Sequence, residues 1–232
     1  RDPLWSRGLG DVYKRQITVR PTDTTDSKGR HRPGPECIEW TEVPTPQPGP
    51  GEALVKVTAA GINRGDLLQR QGLYPPPKGV SDTMGLEVTG TVSALGPGVD
   101  WSEGDEVVAL LAGGGYAEYV IVPAGQLLPI PDGIDPVTAS TLIEVAATVI
   151  SNMDHVGLAK GETFLVHGGA GGIGQFAIQY AKSLGCTVIT TCGTAEKQEF
   201  CRALGADVVL NYHDDWVCLL YTSPSPRDQR GS

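Results

Sequence analysis

Hydrophobic and polar positions alternate in short runs through the first half of the chain, and each run is bounded by glycine or proline. Ile17-Thr18-Val19 reads as part of a first strand, Cys37 to Val43 alternates as a second, and Ala53 to Ala60 as a third. Gly85 to Val92, Gly104 to Leu110 and Tyr116 to Val122 repeat the pattern, separated by turns such as Gly96-Pro97-Gly98. Many short strands with this punctuation predict a compact β-rich domain. A short helix is expected to open at Asn63 or Asp66. From Asp135-Pro136 the pattern becomes helical, and Thr138 to Met153 is rich in alanine and apolar residues.

The second half changes period. Phe164-Leu165-Val166 is a short apolar run, followed after His167 by Gly168, Gly169, Gly171, Gly172 and Gly174. Ile173, Phe176, Ala177, Tyr180, Ala181 and Leu184 then recur at helical offsets of three and four. Thr187 to Thr191 predicts a second strand, Ala195 to Leu204 a helix, and Val208 to Leu210 a third strand. Strand, glycine turn, helix is the arrangement that a dinucleotide pyrophosphate needs. The tight turn lets backbone approach the phosphates, and the helix N-terminus offers unpaired N–H groups and a positive dipole end. A full sheet of this kind has about six strands. The chain carries about half, so it reads as an incomplete parallel sheet whose last strand, Val208 to Leu210, is expected to present an unpaired apolar edge.

Composition narrows the classes. The net charge is −9 over 232 residues, which argues against nucleic acid and anionic membranes as partners. The apolar stretch from Leu142 to Ile150 is interrupted by Glu144 and is too short to span a bilayer. Cys37, Cys186, Cys192, Cys201 and Cys218 show no C-x-x-C pair, which suits reduced thiols in a cytoplasmic protein. The run Lys28, Arg30, His31, Arg32 fits a solvated hairpin loop better than a phosphate patch.

The two ends fit no fold pattern and are related through DNA. One codon choice for residues 218–228 has a reverse complement that encodes Ser6 to Gln16, and it resembles a sequencing-library transposase adapter. Residues 1–16 and 218–232 are therefore expected to be cloning or assembly artefacts. They carry a net +3, leaving −12 for residues 17–217. The expected domains are 17–137, β-rich, and 138–217, the partial dinucleotide-binding sheet.

Candidate chemistry follows from position. An acid near the end of the second strand binds the NAD ribose. Here that end reads Thr191-Cys192-Gly193-Thr194, with no acid and with Lys197 one turn into the next helix. A cation without an opposing acid at the strand tip suits the 2′-phosphate of NADP, although Glu196 lies beside it. Tyr212 either covers the adenosine phosphate or closes the sheet. Asn63, Arg64, Asp66 and Tyr74 are polar groups on an irregular segment, where sites are commonly built.

The motifs together resemble the quinone oxidoreductase (zeta-crystallin-like) branch of the medium-chain dehydrogenase/reductase superfamily. The resemblance is carried by Ala60-Gly61-Ile62-Asn63-Arg64-Gly65-Asp66, the run Gln69 to Pro77, Gly85-Leu86-Glu87, Gly113 to Val120, Val166 to Gly174, Gly193-Thr194 with Lys197, and Asn211-Tyr212. The Gln69 to Pro77 run is most like the subgroup related to the p53-inducible quinone oxidoreductase. The resemblance implies a GroES-like catalytic domain followed by a Rossmann domain, NADPH as cofactor, a homo-oligomer for the full-length form, and hydride transfer to quinones or conjugated carbonyls. It implies that Asn63, Asp66 and Tyr74 lie near the nicotinamide and substrate and that Thr148 holds the nicotinamide amide. Gly171, Gly172, Ile173 and Gly174 would meet the pyrophosphate, and Thr194, Lys197 and Tyr212 the 2′-phosphate. Zinc-dependent relatives place Cys where Asn63 stands and His where Leu86 stands, so no metal is expected. An enoyl-thioester or enone reductase is the rival enzyme reading, and a non-catalytic NADPH-binding or structural protein is the rival from another class. With half its sheet, the chain by itself is expected to be inactive.

Overall fold

The computed structural model describes residues 13–20 and 33–217. β1 (Tyr13–Val19) runs antiparallel to β2 (Ile38–Pro44), setting Tyr13 against Pro44 and Val19 against Ile38. The strand therefore begins four positions before Ile17. Tyr13 and Arg15 face solvent while Lys14 is buried, as the two-residue period of a strand requires. The Lys14 ammonium donates to the Tyr119 carbonyl at 2.8 Å, and burial lowers its pKa. The Arg15 guanidinium donates to the Glu118 carboxylate at 2.6 and 2.9 Å. This pairing is a property of the side chains present, whatever the origin of residues 1–16. The basic run from Lys28 to Arg32, Cys218, and segments 1–12 and 218–232 lie outside the described residues.

β3 (Glu52–Ala60) leads through α1 (Arg64–Arg70) to β4 (Glu87–Leu95), β5 (Glu106–Leu110), β6 (Tyr119–Pro123) and β7 (Leu127–Pro129). They form a five-stranded antiparallel sheet in the order β6-β3-β4-β5-β7. Inward positions at period two supply the core: Val55 from β3, Val88 and Val92 from β4, Val107 from β5, Val120 and Val122 from β6, Leu127 from β7. A register shift between Val57 and Ala59 re-aims the end of β3, from which the chain turns at Gly61 toward α1.

The helical stretch expected from Asp135 to Met153 is two helices, α2 (Pro136–Ala139) and α3 (Ile143–Val156). The Asp135 side chain caps α2 by accepting from the Val137 and Thr138 N–H groups at 3.0 Å. In the break, the Ser140 hydroxyl donates to the Val137 carbonyl at 2.8 Å and the Thr141 hydroxyl to the Thr138 carbonyl at 2.9 Å. Side chains that bond the preceding turn compete with a continuous helix, a signal that apolar periodicity does not carry.

The chain divides into two compact units between Glu144 and Val145, where the sequence reading set the division between 137 and 138. The second unit contains β8 (Thr163–His167), α4 (Gly172–Ser183), β9 (Thr187–Cys192), α5 (Ala195–Ala203) and β10 (Val208–Asn211). Its strands are parallel, in the order β10-β9-β8, the 3-2-1 half of a doubly wound sheet. Ala177, Ile178 and Ala181 of α4 pack with Val188, Cys201 and Ala206 in its core. Among the described residues β10 pairs only with β9 and Val208 is exposed, as expected of an open edge, and the strand order adds a second one. In a full sheet the third strand is an edge and the first is central. Among the described residues β8 pairs on one side only, so the edge normally covered belongs to β8, where Leu165 is exposed.

Cys37, Cys186, Cys192 and Cys201 are buried and form no disulfide; burial, with Cys192 alongside, pushes the Cys201 thiol up to about 11. Among the described residues no helix is long and apolar enough to cross a membrane.

Candidate functional site

Asn63 and Asp66 meet at the start of α1. Asn63 is the N-cap, and its backbone N–H donates to Asp66 Oδ2 at 2.6 Å, the reaching-back arm of a capping box. The Asn63 side chain turns to β4, where its Nδ2 donates to Glu87 Oε1 at 2.8 Å. Glu87 Oε2 accepts from the Glu144 N–H, in the first turn of α3, at 3.0 Å. The Tyr116 hydroxyl donates to Asp66 Oδ2 at 2.8 Å and lies 3.2 Å from the Gly61 carbonyl oxygen. Asp66 and Glu87 are 3 % and 1 % exposed. Tyr74 stands outside this network, half-exposed on the loop after α1.

Burial pushes the carboxyls of Asp66, Glu87 and Glu144 above the usual range, with the Asp66 charge adding to the rise at Glu87. Burial and the Asp66 contact raise Tyr116 as well, so its phenol stays protonated. Asp66 Oδ1 is buried without a partner among the described residues, which leaves its charge incompletely compensated. A carboxyl with a raised folded pKa binds a proton more readily folded than unfolded. Its contribution to stability therefore falls as pH rises through that pKa and is fully present below the unfolded value of about 4. The difference in thermal midpoint between the natural chain and Asp66→Asn should accordingly grow on acidification from pH 8 toward pH 4. A difference that shrinks would contradict the assigned burial.

At the positions where zinc-dependent relatives place Cys and His, this chain has an amide and an isobutyl group. Leu86 is buried, its Cδ1 2.5 Å from where a Cβ on Gly65 would lie, so apolar packing fills that space. Neither side chain supplies a thiolate or an imidazole. Among the described residues no three His, Cys, Asp or Glu side chains are grouped to hold a metal. This donor set does not fit a catalytic zinc.

In the second unit, β8 ends at His167 and the chain turns at Gly168, whose φ of +69° falls in the left-handed region. A Cβ on Gly174 would come within 2.5 Å of the Gly168 oxygen and the Gly169 Cα, so α4 starts directly against the turn. An added Cβ on Gly171 would press on the Gly168 carbonyl oxygen at 3.3 Å, whereas one on Gly172 would meet only the Val145 Cγ1 at 3.5 Å. Gly171 is the N-cap of the twelve-residue α4, whose first N–H groups have no partner within the helix. This is a cradle that fits a pyrophosphate. Ile173 and Thr148 line one cavity of about 250 Å³ with Asn152, Phe164 and Val166.

A second turn follows β9 and leads into α5. Thr194 caps α5, its hydroxyl accepting from the Lys197 N–H at 3.3 Å, and the Lys197 side chain is exposed. Tyr212, just beyond β10, sets its hydroxyl where a Cβ on Gly193 would be. The tyrosine therefore lies over the Gly193 turn, and a side chain at 193 would push its ring aside. Thr194, Lys197 and Tyr212 stand around the β9–α5 turn, Gly171 to Gly174 at the β8–α4 turn, and Asn63 with Asp66 in the first unit.

Glu87, Tyr116 and Glu144 did not emerge as site residues from the sequence. A charged residue inside the apolar run of β4 was a usable signal for Glu87, since an inward acid needs partners. Tyr116 and Glu144 carried no such signal.

Two family models match the chain: the alcohol dehydrogenase GroES-like domain over residues 49–132 and the zinc-binding dehydrogenase over residues 172–220. Prostaglandin reductase-3 of Bos taurus is 37 % identical over 177 residues, 76 % of this chain and 47 % of the relative. A quinone oxidoreductase of Pseudomonas aeruginosa is 36 % identical over 187 residues, 79 % of this chain and 57 % of the relative. The chain thus spans about half the length of these curated relatives. The crystal structure of Escherichia coli quinone oxidoreductase complexed with NADPH superposes with a TM-score of 0.77 at 33 % identity, covering 89 % of this chain and 61 % of that one. The GroES-like β-rich unit followed by a Rossmann-type parallel sheet agrees with these matches, and the chain belongs to the quinone oxidoreductase-like branch of the medium-chain dehydrogenase/reductase superfamily.

Proposed function

We propose that the protein, at the length of its relatives, is a zinc-independent, NADPH-dependent oxidoreductase that transfers hydride to a quinone or another conjugated carbonyl. The observation that carries this is the glycine turn closed against the start of α4, combined with Lys197 and the absence of an acid at the tip of β9. When bound, NADPH supplies the hydride at C4 of its nicotinamide. The N–H groups of Gly172, Ile173 and Gly174 hold the pyrophosphate, and Gly171, without a side chain, lets it approach the turn. Thr148 holds the nicotinamide amide, and Thr194, Lys197 and Tyr212 hold the 2′-phosphate.

Without a Lewis acid the acceptor must already be electrophilic, as a quinone or enone is. Asn63 and Tyr74 donate hydrogen bonds to the acceptor oxygen as it gains charge. Asp66 supports Asn63 from its backbone. The final proton comes from water, and positioning supplies much of the acceleration. In the protein at its relatives' length, Asn63→Ala and Tyr74→Phe should each lower kcat by at least about tenfold with little change in NADPH affinity. Unchanged turnover in both would refute these roles. A panel of quinones and enoyl thioesters separates quinone reduction from enoyl reduction, and tight NADPH binding without turnover of any acceptor would favour a non-catalytic protein. The same reading makes the full-length form a cytoplasmic homo-oligomer, which sedimentation would test.

A further inference from the structure

Glu87 is the most buried acid of the first unit and has no part in the reading above. Two donors converge on it: Asn63 Nδ2 reaches Oε1 at 2.8 Å and the Glu144 N–H reaches Oε2 at 3.0 Å. Its approach depends on Gly61, because a Cβ there would collide with Glu87 Oε1 and lie 2.5 Å from the Ser140 carbonyl oxygen. A buried charge held between two donors, through a gap that only glycine leaves, is costly unless those contacts matter. Among the described residues no cation pairs with it. The charged and titratable groups facing it are Asp66 on α1, Tyr116 ahead of β6 and Glu144 on α3.

An asparagine amide has one donor end and one acceptor end, and only its neighbours decide which end points where. Both Glu87 oxygens accept from N–H groups, so Glu87 draws the Asn63 NH₂ toward itself and sends Oδ1 the other way. We propose that Glu87 is a positioning residue of the hydride-transfer site: it fixes the orientation of the Asn63 amide so that the second Nδ2 hydrogen remains available to the acceptor oxygen. This rests on the reading that Asn63 borders the acceptor.

Glu87→Gln tests the idea with little change in shape. A glutamine has one oxygen for two converging donors. The Glu144 N–H is backbone and cannot turn away, so it keeps the oxygen and the glutamine NH₂ faces Asn63. Asn63 must then rotate its amide by half a turn, presenting a carbonyl oxygen where a donor had stood. In the protein at its relatives' length, Glu87→Gln should lower kcat by at least about tenfold while the Kd for NADPH stays within about twofold. It should lower kcat no further when Asn63 is already alanine, because the effect passes through that amide.

If Asn63→Ala leaves kcat unchanged, the reading of Asn63 fails and this proposal with it. If Asn63→Ala lowers kcat but Glu87→Gln does not, or if the two effects multiply, the Asn63 reading survives and the Glu87 proposal is overturned. A purely structural role would multiply in this way and would weaken NADPH binding as well. Should Glu87→Gln fail to fold, the natural chain still decides. With ¹⁵N-labelled asparagine, the Asn63 side-chain amide proton that is bonded to Glu87 should exchange at least about tenfold more slowly than those of an exposed asparagine amide. Exchange at the exposed rate would overturn the proposal.

Discussion

Gly174→Ala is expected to raise the Kd for NADPH by at least about tenfold and to lower unfolding stability by about 1–3 kcal/mol. The reason is contact with backbone, which cannot swing aside as a side chain can. An alanine Cβ at this position would lie 2.5 Å from both the Gly168 oxygen and the Gly169 Cα. The first turn of α4 and the glycine turn would have to separate, and the N–H groups proposed to hold the phosphates would move with them. Gly172→Ala is the control, because its Cβ would find only the Val145 Cγ1 at 3.5 Å. Its stability should be unchanged or slightly raised, since alanine is the better helix former. Nucleotide titration and chemical denaturation of the two variants measure both quantities. Equal stability in Gly174→Ala would show that the turn is less tightly docked than described.

Lys197→Ala is expected to weaken NADPH binding by about 10- to 100-fold and to leave NADH binding within about twofold. The two nucleotides differ only in the 2′-phosphate, so the comparison isolates that group. Lys197 is exposed in the first turn of α5, where the helix N-terminus also favours an anion, and Thr194 already uses its hydroxyl as the cap. Equal loss for both nucleotides would instead assign Lys197 to the fold of α5. No loss for either would place the 2′-phosphate elsewhere.

What was legible in the sequence was local. The strand–turn–helix at Phe164 to Gly174, the alternating strands and the helix that starts at Ala195 each lie within a dozen residues, where periodicity and turn chemistry act. The network around Asn63 is not local. Its hydrogen bonds join residues 24, 50 and 57 positions apart, from Asn63 to Glu87, Asp66 to Tyr116 and Glu87 to Glu144. No spacing rule reaches that far. The break between α2 and α3 was hidden because Ser140 and Thr141 read as tolerable helix residues until their hydroxyls are seen bonding backward. The open edge at the last strand was legible, but the second one, at β8, was not, because chain order does not show that the sheet places β8 opposite β10 across β9. The pairing of Tyr13 to Gln16 with β2 depends on partners supplied by Glu118 and Tyr119, more than 100 positions away.

The most direct test of the central claim is a single-turnover measurement on the protein at its relatives' length, with a chelator present and a quinone in excess. NADPH carrying deuterium at the transferred C4 position is compared with ordinary NADPH. Metal-free hydride transfer predicts acceptor-dependent oxidation that the chelator leaves intact and that deuterium slows. Oxidation abolished by the chelator, or bound NADPH that no quinone or conjugated carbonyl oxidises, would contradict it.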